Sequence, residues 1–149
     1  MTEDFLLSPH FSFSELAASA GQPRLAAKNR LEAAAFADRL REVCEKLLEP
    51  VRERFGPVAV TSGYRCLALN TAVAGAKNSQ HTRGEAADFT VPGVLPDEVF
   101  DWARASLPCF GQLIREPGWI HISLGQPYRP AHKCREALIF DGKNYRTIS

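Results

Sequence analysis

The chain has 149 residues, of which 45% are hydrophobic and 23% are charged, and its formal net charge is +1. This length and composition are typical of one globular domain with a sizeable core. The near-neutral charge argues against a nucleic-acid partner or an anionic membrane surface, and no apolar run approaches the roughly 20 residues that span a bilayer. We therefore predict a single domain over residues 1–149, a monomer that binds neither nucleic acid nor membrane.

The N-terminal part of the chain shows helical patterns. Ser12 and Glu15 have the spacing of a capping box, which predicts a short helix over about 14–20. A longer helix is predicted over about 28–55, and Pro50 should kink or divide it. We interpret this helix as scaffold, with partner binding as the competing interpretation. Its apolar residues recur at helical spacing: Leu31, Ala35, Leu40, Val43, Leu47, Leu48 and Val51.

The rest of the chain mixes strand-like and helical patterns. The predicted elements are strands at 58–62, 86–91, 110–115 and 119–124, helices at 67–74 and 98–106, and a C-terminal hairpin at about 136–149. Asp97 has the position of an N-cap for the second of these helices. Helices followed by strands favour an α+β fold.

The cysteines give no sign of a structural zinc cluster. Cys44, Cys66, Cys109 and Cys134 are widely spaced and form no Cys-x-x-Cys pair. We predict free, mostly buried thiols. A disulfide remains open only if the protein reaches an oxidising compartment.

A stretch at the centre of the chain, Ser79–Phe89, contains a histidine and an acid seven residues apart, His81 and Asp88. On one helix they would be separated by about 10 Å along the axis, and on one strand by more than about 20 Å. Neither geometry lets both bind one metal, whose ligands lie roughly 2 Å from it. The chain must therefore turn between them, and Gly84 suits a sharp turn.

A third ligand is available on a later strand. Alternation puts Trp119, His121 and Ser123 on one face, so that an apolar opposite face in the core would aim His121 at the cleft. Two histidines and one carboxylate leave a fourth position open for water, which is the pattern of a catalytic zinc site. The competing interpretation, a hydrogen-bonded cluster of core side chains, stays open on these residues alone.

Several motifs of the chain resemble those of a known family. In chain order they are Ser62–Arg65, Leu69–Asn70, Ser79–His81, Gly84–Asp88, Gln112–Ile114 and Trp119–Ser123. The family is that of the zinc D-alanyl-D-alanine carboxypeptidases and L-alanyl-D-glutamate endopeptidases, and the chain most resembles its short phage and prophage branch. The similarity extends over roughly residues 11–125. The resemblance implies the fold shared with the hedgehog signalling domain, in which N-terminal helices pack on a small, mainly antiparallel sheet.

The resemblance implies one zinc ion held by His81, Asp88 and His121. It also implies a carboxylate base shortly before the last ligand, and Glu116 has that position, although one residue fewer separates it from the histidine than in the family pattern. Glu85 is the alternative base, but its place next to the turn predicts a surface position.

Other residues take their expected roles from the same resemblance. Arg65 is similar to the arginine that meets the substrate, and a planar, permanently charged fork suits a peptide carboxylate, with a structural ion pair as the alternative. Ser79 and Gln80 are similar to cleft residues that bind the substrate or position the ligand loop. Tyr64 and Asn70 are expected to be scaffold.

The function implied is hydrolysis of amide bonds in peptidoglycan stem peptides, as in an endolysin, with carboxypeptidase and endopeptidase activities both open. The acidic start, Met1–Asp4, lacks a signal-peptide pattern, so we expect synthesis in the cytoplasm and action on the cell wall after release or within a virion. A non-catalytic binding module and a zinc-stabilised virion part are the alternatives. His10 and His132 match no motif and are expected to be surface or local structural residues.

Overall fold

The structure is a computed structural model that describes residues 4–19, 21–125 and 134–148. Its α-helices are α1 (Phe13–Leu16), α2 (Ala26–Ala33), α3 (Ala37–Val43), α4 (Glu49–Phe55), α5 (Leu67–Ala72) and α6 (Pro96–Ser106). Its strands are β1 (Leu6–Ser8), β2 (Phe11–Ser12), β3 (Ala59–Ser62), β4 (Ala86–Thr90), β5 (Gln112–Glu116), β6 (Trp119–Ser123), β7 (Glu136–Phe140) and β8 (Tyr145–Thr147). Short 3-10 turns lie at Pro23–Leu25, Ala34–Phe36 and Gln80–Arg83, and a π turn lies at Cys44–Leu48.

The main sheet of the described chain has six strands in the order β3-β4-β6-β5-β7-β8. Neighbouring strands are antiparallel except β5 and β7, which run parallel. One face of the sheet, with Phe89, Leu113 and Ile120, is buried in the core, where α3 and α6 pack against it. The predicted α+β class is confirmed, with helices on a mainly antiparallel sheet, and the predicted C-terminal hairpin is present as β7 and β8.

The predicted long helix is present as helical turns that continue from residue 26 to residue 55. Pro50 does not divide it but lies in the first turn of α4, directly after the π turn. A proline removes one backbone donor and crowds the preceding turn, and a π turn widens the helix at that place. The predicted apolar stripe is buried from Leu40 to Val51. It is wrong at its start, because Leu31 is 75% exposed and Ala35 is also exposed.

Two of the predicted helix starts can be compared with the structure. The capping box of Ser12 and Glu15 is present, and the short helix that it begins ends at Leu16, earlier than expected. The N-cap assigned to Asp97 is wrong, because Leu95 occupies that position with a proline after it. Asp97 lies in the first turn instead, where its carboxylate is 3.1 Å from the Arg115 guanidinium.

The four cysteines are free thiols, as predicted. Cys44 and Cys66 are buried, Cys109 is partly exposed and Cys134 is exposed. The prediction that the thiols are mostly buried therefore holds for two of the four. Burial raises the pKa of the Cys44 thiol to about 12, which keeps it protonated and inert. No helix in the described ranges is long and apolar enough to cross a membrane.

Asn29 is a fully buried polar side chain that joins α2 to two other segments. Its amide nitrogen donates to the carbonyl oxygens of Ala17 and Tyr64, at 2.8 and 3.0 Å. Its amide oxygen accepts from the Cys66 backbone nitrogen at 2.7 Å. One side chain thus satisfies three backbone groups, and it holds the loop after β3 against the helical layer.

We predict that Asn29→Ala lowers the free energy of unfolding by at least about 2 kcal/mol, because it leaves buried backbone groups without partners. Urea denaturation followed by circular dichroism measures this change. Lys28→Ala is the matched control on the same helix, since Lys28 is exposed and pairs only at the surface with Glu32. That control should lose about 0.5 kcal/mol or less. Equal stability of the two variants would refute the role given to Asn29.

Candidate active site

Sheet register brings together two of the three predicted metal ligands. Asp88 on β4 lies directly opposite His121 on β6, so both side chains project from the same face of the sheet. His81 comes from the 3-10 turn that precedes β4. That turn ends at Gly84, whose φ is +69°, and a Cβ atom there would lie 2.7 Å from Cβ of Phe36. The turn inferred from the spacing is therefore present, and it requires glycine for both conformation and space.

The three side chains lie at distances that suit one metal ion. His81 Nε2 is 3.2 Å from Asp88 Oδ1, and His121 Nδ1 is 2.9 Å from the same oxygen. One ligand atom from each residue lies within 4.8 Å of the others. Around a tetrahedral zinc with bonds of roughly 2.0–2.1 Å, neighbouring ligand atoms are about 3.3 Å apart. The donor types and their spacing therefore fit zinc.

The orientation of His81 is set by a hydrogen bond on the far side of its ring. Nδ1 is 2.7 Å from the Gly63 carbonyl oxygen, which can only accept, so Nδ1 carries the hydrogen. This bond directs Nε2 towards Asp88, in the manner of the outer partners that orient metal-binding histidines. The His81 residue is 1% exposed, so few other orientations are open to its ring.

The protonation states of the cluster suit metal binding. Burial alone would raise the pKa of Asp88, but the charges and hydrogen bonds of His81 and His121 outweigh it and hold that pKa well below its usual value. Burial lowers the pKa of His81, and the nearby Asp88 carboxylate only partly opposes this. An ionised carboxylate and a neutral imidazole are the forms that bind metals.

Glu116, the predicted base, lies in the same cleft. It is the last residue of β5 and pairs with Trp119 across a two-residue turn, in which Gly118 has φ +102°. This tight turn accounts for the short spacing between Glu116 and His121. Burial raises the pKa of Glu116, while His121 lowers it and Asp88 raises it.

Glu85, the alternative base, is not at the surface, so that expectation is wrong. Its side chain is 2% exposed and lies 3.0 Å from the Arg83 guanidinium and 3.4 Å from that of Arg39. A carboxylate buried this deeply needs such partners, because an uncompensated buried charge is costly. Glu85 is absent from the described residues that line the cleft. Its ion pairs join the 3-10 turn that carries His81 to α3.

Arg65 lines the cleft from the loop that follows β3. Its backbone nitrogen donates to the His81 carbonyl oxygen at 3.0 Å, which joins the two loops. Its Nη1 atom approaches Gly75 so closely that a Cβ atom there would lie 2.8 Å from it. The Nε atom is buried and has no hydrogen-bond partner among the described residues. Arg65 forms no ion pair with the described residues. Burial lowers the pKa of Arg65, and the negative charge of Asp88 opposes this.

Ser79 and Gln80 line the cleft, and their side chains also stabilise the 3-10 turn that carries His81. The Ser79 hydroxyl accepts from the His81 backbone nitrogen at 3.2 Å, and the Gln80 amide donates to the Leu124 carbonyl oxygen at 3.3 Å. The remaining predictions concern residues that do not line the cleft.

Tyr64 is buried and stacks on Phe36 with ring centroids 5.0 Å apart, as expected of scaffold.

The other two histidines and Asn70 complete the comparison with the sequence. The Asn70 amide donates to the Ala76 carbonyl oxygen at 2.8 Å, a structural role. His10 lies 2.7 Å from Glu49 and so has a local structural role. His132 lies outside the described residues.

Several residues that line the cleft were not predicted to do so. The cleft has a volume of about 660 Å³, and its wall includes Gly75 and Tyr145. Gly75 could be found only from its contact with Arg65, which no local pattern reveals. Tyr145 lies on the C-terminal hairpin, and its alternation predicted a strand but not which neighbour that strand would join.

Comparison with protein families matches residues 9–123 of the chain to the model described as peptidase M15. No curated protein matches the chain. The matched range includes β2 to β6 and therefore the whole His81, Asp88 and His121 cluster. Since the match covers more than half of the sequence, and the cluster has the donor set of a zinc site, the chain belongs to the peptidase M15 family, whose members are zinc-dependent peptidases.

Proposed function

We propose that this peptidase hydrolyses amide bonds in the stem peptides of peptidoglycan, with one zinc ion as its cofactor. The observation that carries the proposal is the meeting of three elements in one cleft. These are the two-histidine, one-carboxylate cluster, the Glu116 carboxylate and the Arg65 guanidinium. The motifs that resemble D-alanyl-D-alanine carboxypeptidases and L-alanyl-D-glutamate endopeptidases support the substrate class. The enzyme would meet the cell wall after release from the cytoplasm or as part of a virion.

His81, Asp88 and His121 would hold the zinc ion, because they supply three donors of suitable type and spacing. Zinc in such a site lowers the pKa of bound water and polarises a carbonyl group. Asp88 contributes the negative charge that offsets part of the metal's charge. Gly63 keeps the His81 ring in its binding orientation through the hydrogen bond to Nδ1.

Glu116 would act as the general base and then the general acid. It accepts a proton from the attacking water and returns it to the amine of the departing peptide. Its position at the end of β5, on the cleft side, gives the carboxylate access to a peptide over the cluster. A carboxylate with a pKa above its usual value retains a proton better until the amine leaves.

Arg65 would bind a carboxylate of the substrate. Stem peptides carry free carboxylates, and a guanidinium binds them through two parallel hydrogen bonds. Arg65 lines the cleft and forms no ion pair within the described chain, which leaves its guanidinium available for an anionic ligand. Ser79 and Gln80, on the same wall, are the proposed polar contacts to the peptide backbone.

The first prediction concerns the metal. Purified wild-type protein should contain about one zinc per chain, and His81→Ala or His121→Ala should lose it, because two donors hold zinc poorly. Elemental analysis by mass spectrometry measures the content. His10→Ala is the matched control, since the His10 ring bonds to Glu49 and is not among the described residues that line the cleft, and it should keep its zinc. A wild-type protein without zinc in chelator-free buffer would refute the proposal.

The second prediction concerns the base. Glu116→Gln should keep its zinc but lose about 10²- to 10⁴-fold of the hydrolysis rate, because the amide cannot accept the proton. Product masses from digested muropeptides, followed over time, give the rate. Glu98→Gln, at an exposed position on α6, is the control and should keep full activity. Full activity of Glu116→Gln would assign the base role to another residue.

The third prediction concerns Arg65. Arg65→Lys should raise KM for stem peptides about tenfold or more, because lysine keeps the charge but lacks the planar pair of donors. Steady-state kinetics measure KM, and thermal unfolding and zinc content check that the fold is intact. Arg24→Lys, at an exposed position, should leave KM unchanged. An unchanged KM in Arg65→Lys would show that the group binds no substrate carboxylate.

A further inference from the structure

The C-terminal hairpin extends the cleft face of the sheet beyond the family match, which ends at residue 123. β7 joins β5 in parallel, with Ile114 opposite Leu138. Glu116 and Phe140 come two residues after this pair on their strands, so alternation puts both on the same face of the sheet. β8 then pairs Phe140 with Tyr145. Since paired residues project from the same face, Trp119, Glu116, Phe140 and Tyr145 form one row across four strands.

Tyr145 lies at the end of this row, and its side chain is available to a ligand. It lines the same cleft as Glu116 and His121, and 57% of the residue is exposed. The ring packs on Phe140, with centroids 4.4 Å apart, which limits its orientations. Burial and the negative charges of Glu116 and Asp88 raise the pKa of Tyr145, so the hydroxyl remains a hydrogen-bond donor at neutral pH.

The order of the strands gives the cleft a direction. Arg65 follows β3, at one edge of the sheet, whereas Tyr145 lies on β8, at the opposite edge. The His81, Asp88 and His121 cluster is between them, on β4, β6 and the turn before β4. We take the carboxylate that binds Arg65 to be on the C-terminal side of the cleaved bond, and that bond to lie over the cluster. The N-terminal part of the peptide then extends towards Tyr145.

We propose that Tyr145 is a substrate-binding residue that contacts the part of the peptide on the N-terminal side of the cleaved bond. The ring offers an apolar surface beside Phe140, and the hydroxyl donates a hydrogen bond to a peptide carbonyl. The C-terminal hairpin is thereby a specificity element of the cleft. This inference rests on the proposed function, because it takes the direction of the peptide from Arg65.

The test measures peptide binding separately from turnover. Calorimetry with zinc-loaded Glu116→Gln protein uses two synthetic stem peptides that contain the bond cut by the wild-type enzyme. One is extended on the N-terminal side of that bond, and the other retains a single residue there. Adding Tyr145→Ala should weaken binding of the extended peptide about tenfold and binding of the shortened peptide less than twofold. Tyr145→Phe, which keeps the ring on Phe140, should weaken binding of the extended peptide by a smaller factor, about threefold.

Arg146→Ala is the matched control, since Arg146 is on the same strand with its side chain on the opposite face. It should change neither affinity. Thermal unfolding shows whether Tyr145→Ala disturbs the hairpin. If it does, the affinity of Tyr145→Phe for the extended peptide decides whether Tyr145 binds substrate. Equal affinity of Tyr145→Phe and the parent for the extended peptide, together with equal loss on both peptides in Tyr145→Ala, would overturn the inference. Wild-type hydrolysis of the extended peptide tests the proposed function independently, and no binding of either peptide by the parent would overturn both.

Discussion

The Asp88 carboxylate between two imidazoles is the interaction on which the rest of the site depends. An ionised carboxylate that is only 18% exposed needs compensation, and His81 and His121 provide it at 3.2 and 2.9 Å. Both contacts require fixed backbone positions, because a hydrogen bond weakens steeply with distance and angle. Pairing of β4 with β6 fixes one of them, and the turn that ends at Gly84 fixes the other.

The helical layer determines where His81 points, although none of its residues is a metal ligand. The ring is held by the Gly63 carbonyl, and Gly63 lies so close to Leu16 that an added Cβ would be 2.3 Å from the Leu16 carbonyl oxygen. Asn29 holds the following residues of the same loop through two hydrogen bonds. The helices therefore act on the His81, Asp88 and His121 cluster through one loop. A change in helix packing should alter the orientation of the His81 ring.

Local patterns predicted much of this molecule because each element carries its own signal. Alternation on β6 separated Ile120 in the core from His121 in the cleft, and the spacing of His81 and Asp88 required the turn at Gly84. Contacts between distant segments left no such signal. Glu85 is buried because Arg39, 46 residues earlier, reaches it. Leu31 is exposed because α2 turns Asn29 and Ala33 towards the interior, and helical periodicity alone does not decide which face is buried.

The parallel junction between β5 and β7 separates two parts of the cleft that are built from different stretches of the chain. The His81, Asp88 and His121 cluster and Glu116 lie on β4, β5, β6 and the turn before β4, all within the family match. The outer wall with Tyr145 lies on β7 and β8, which extend the sheet from the edge of β5. Because the hairpin contributes no ligand, its side chains can change without moving the donors of the cluster. Substrate preference can thus differ between proteins that share the same metal chemistry, and the hairpin is the place to look for that difference.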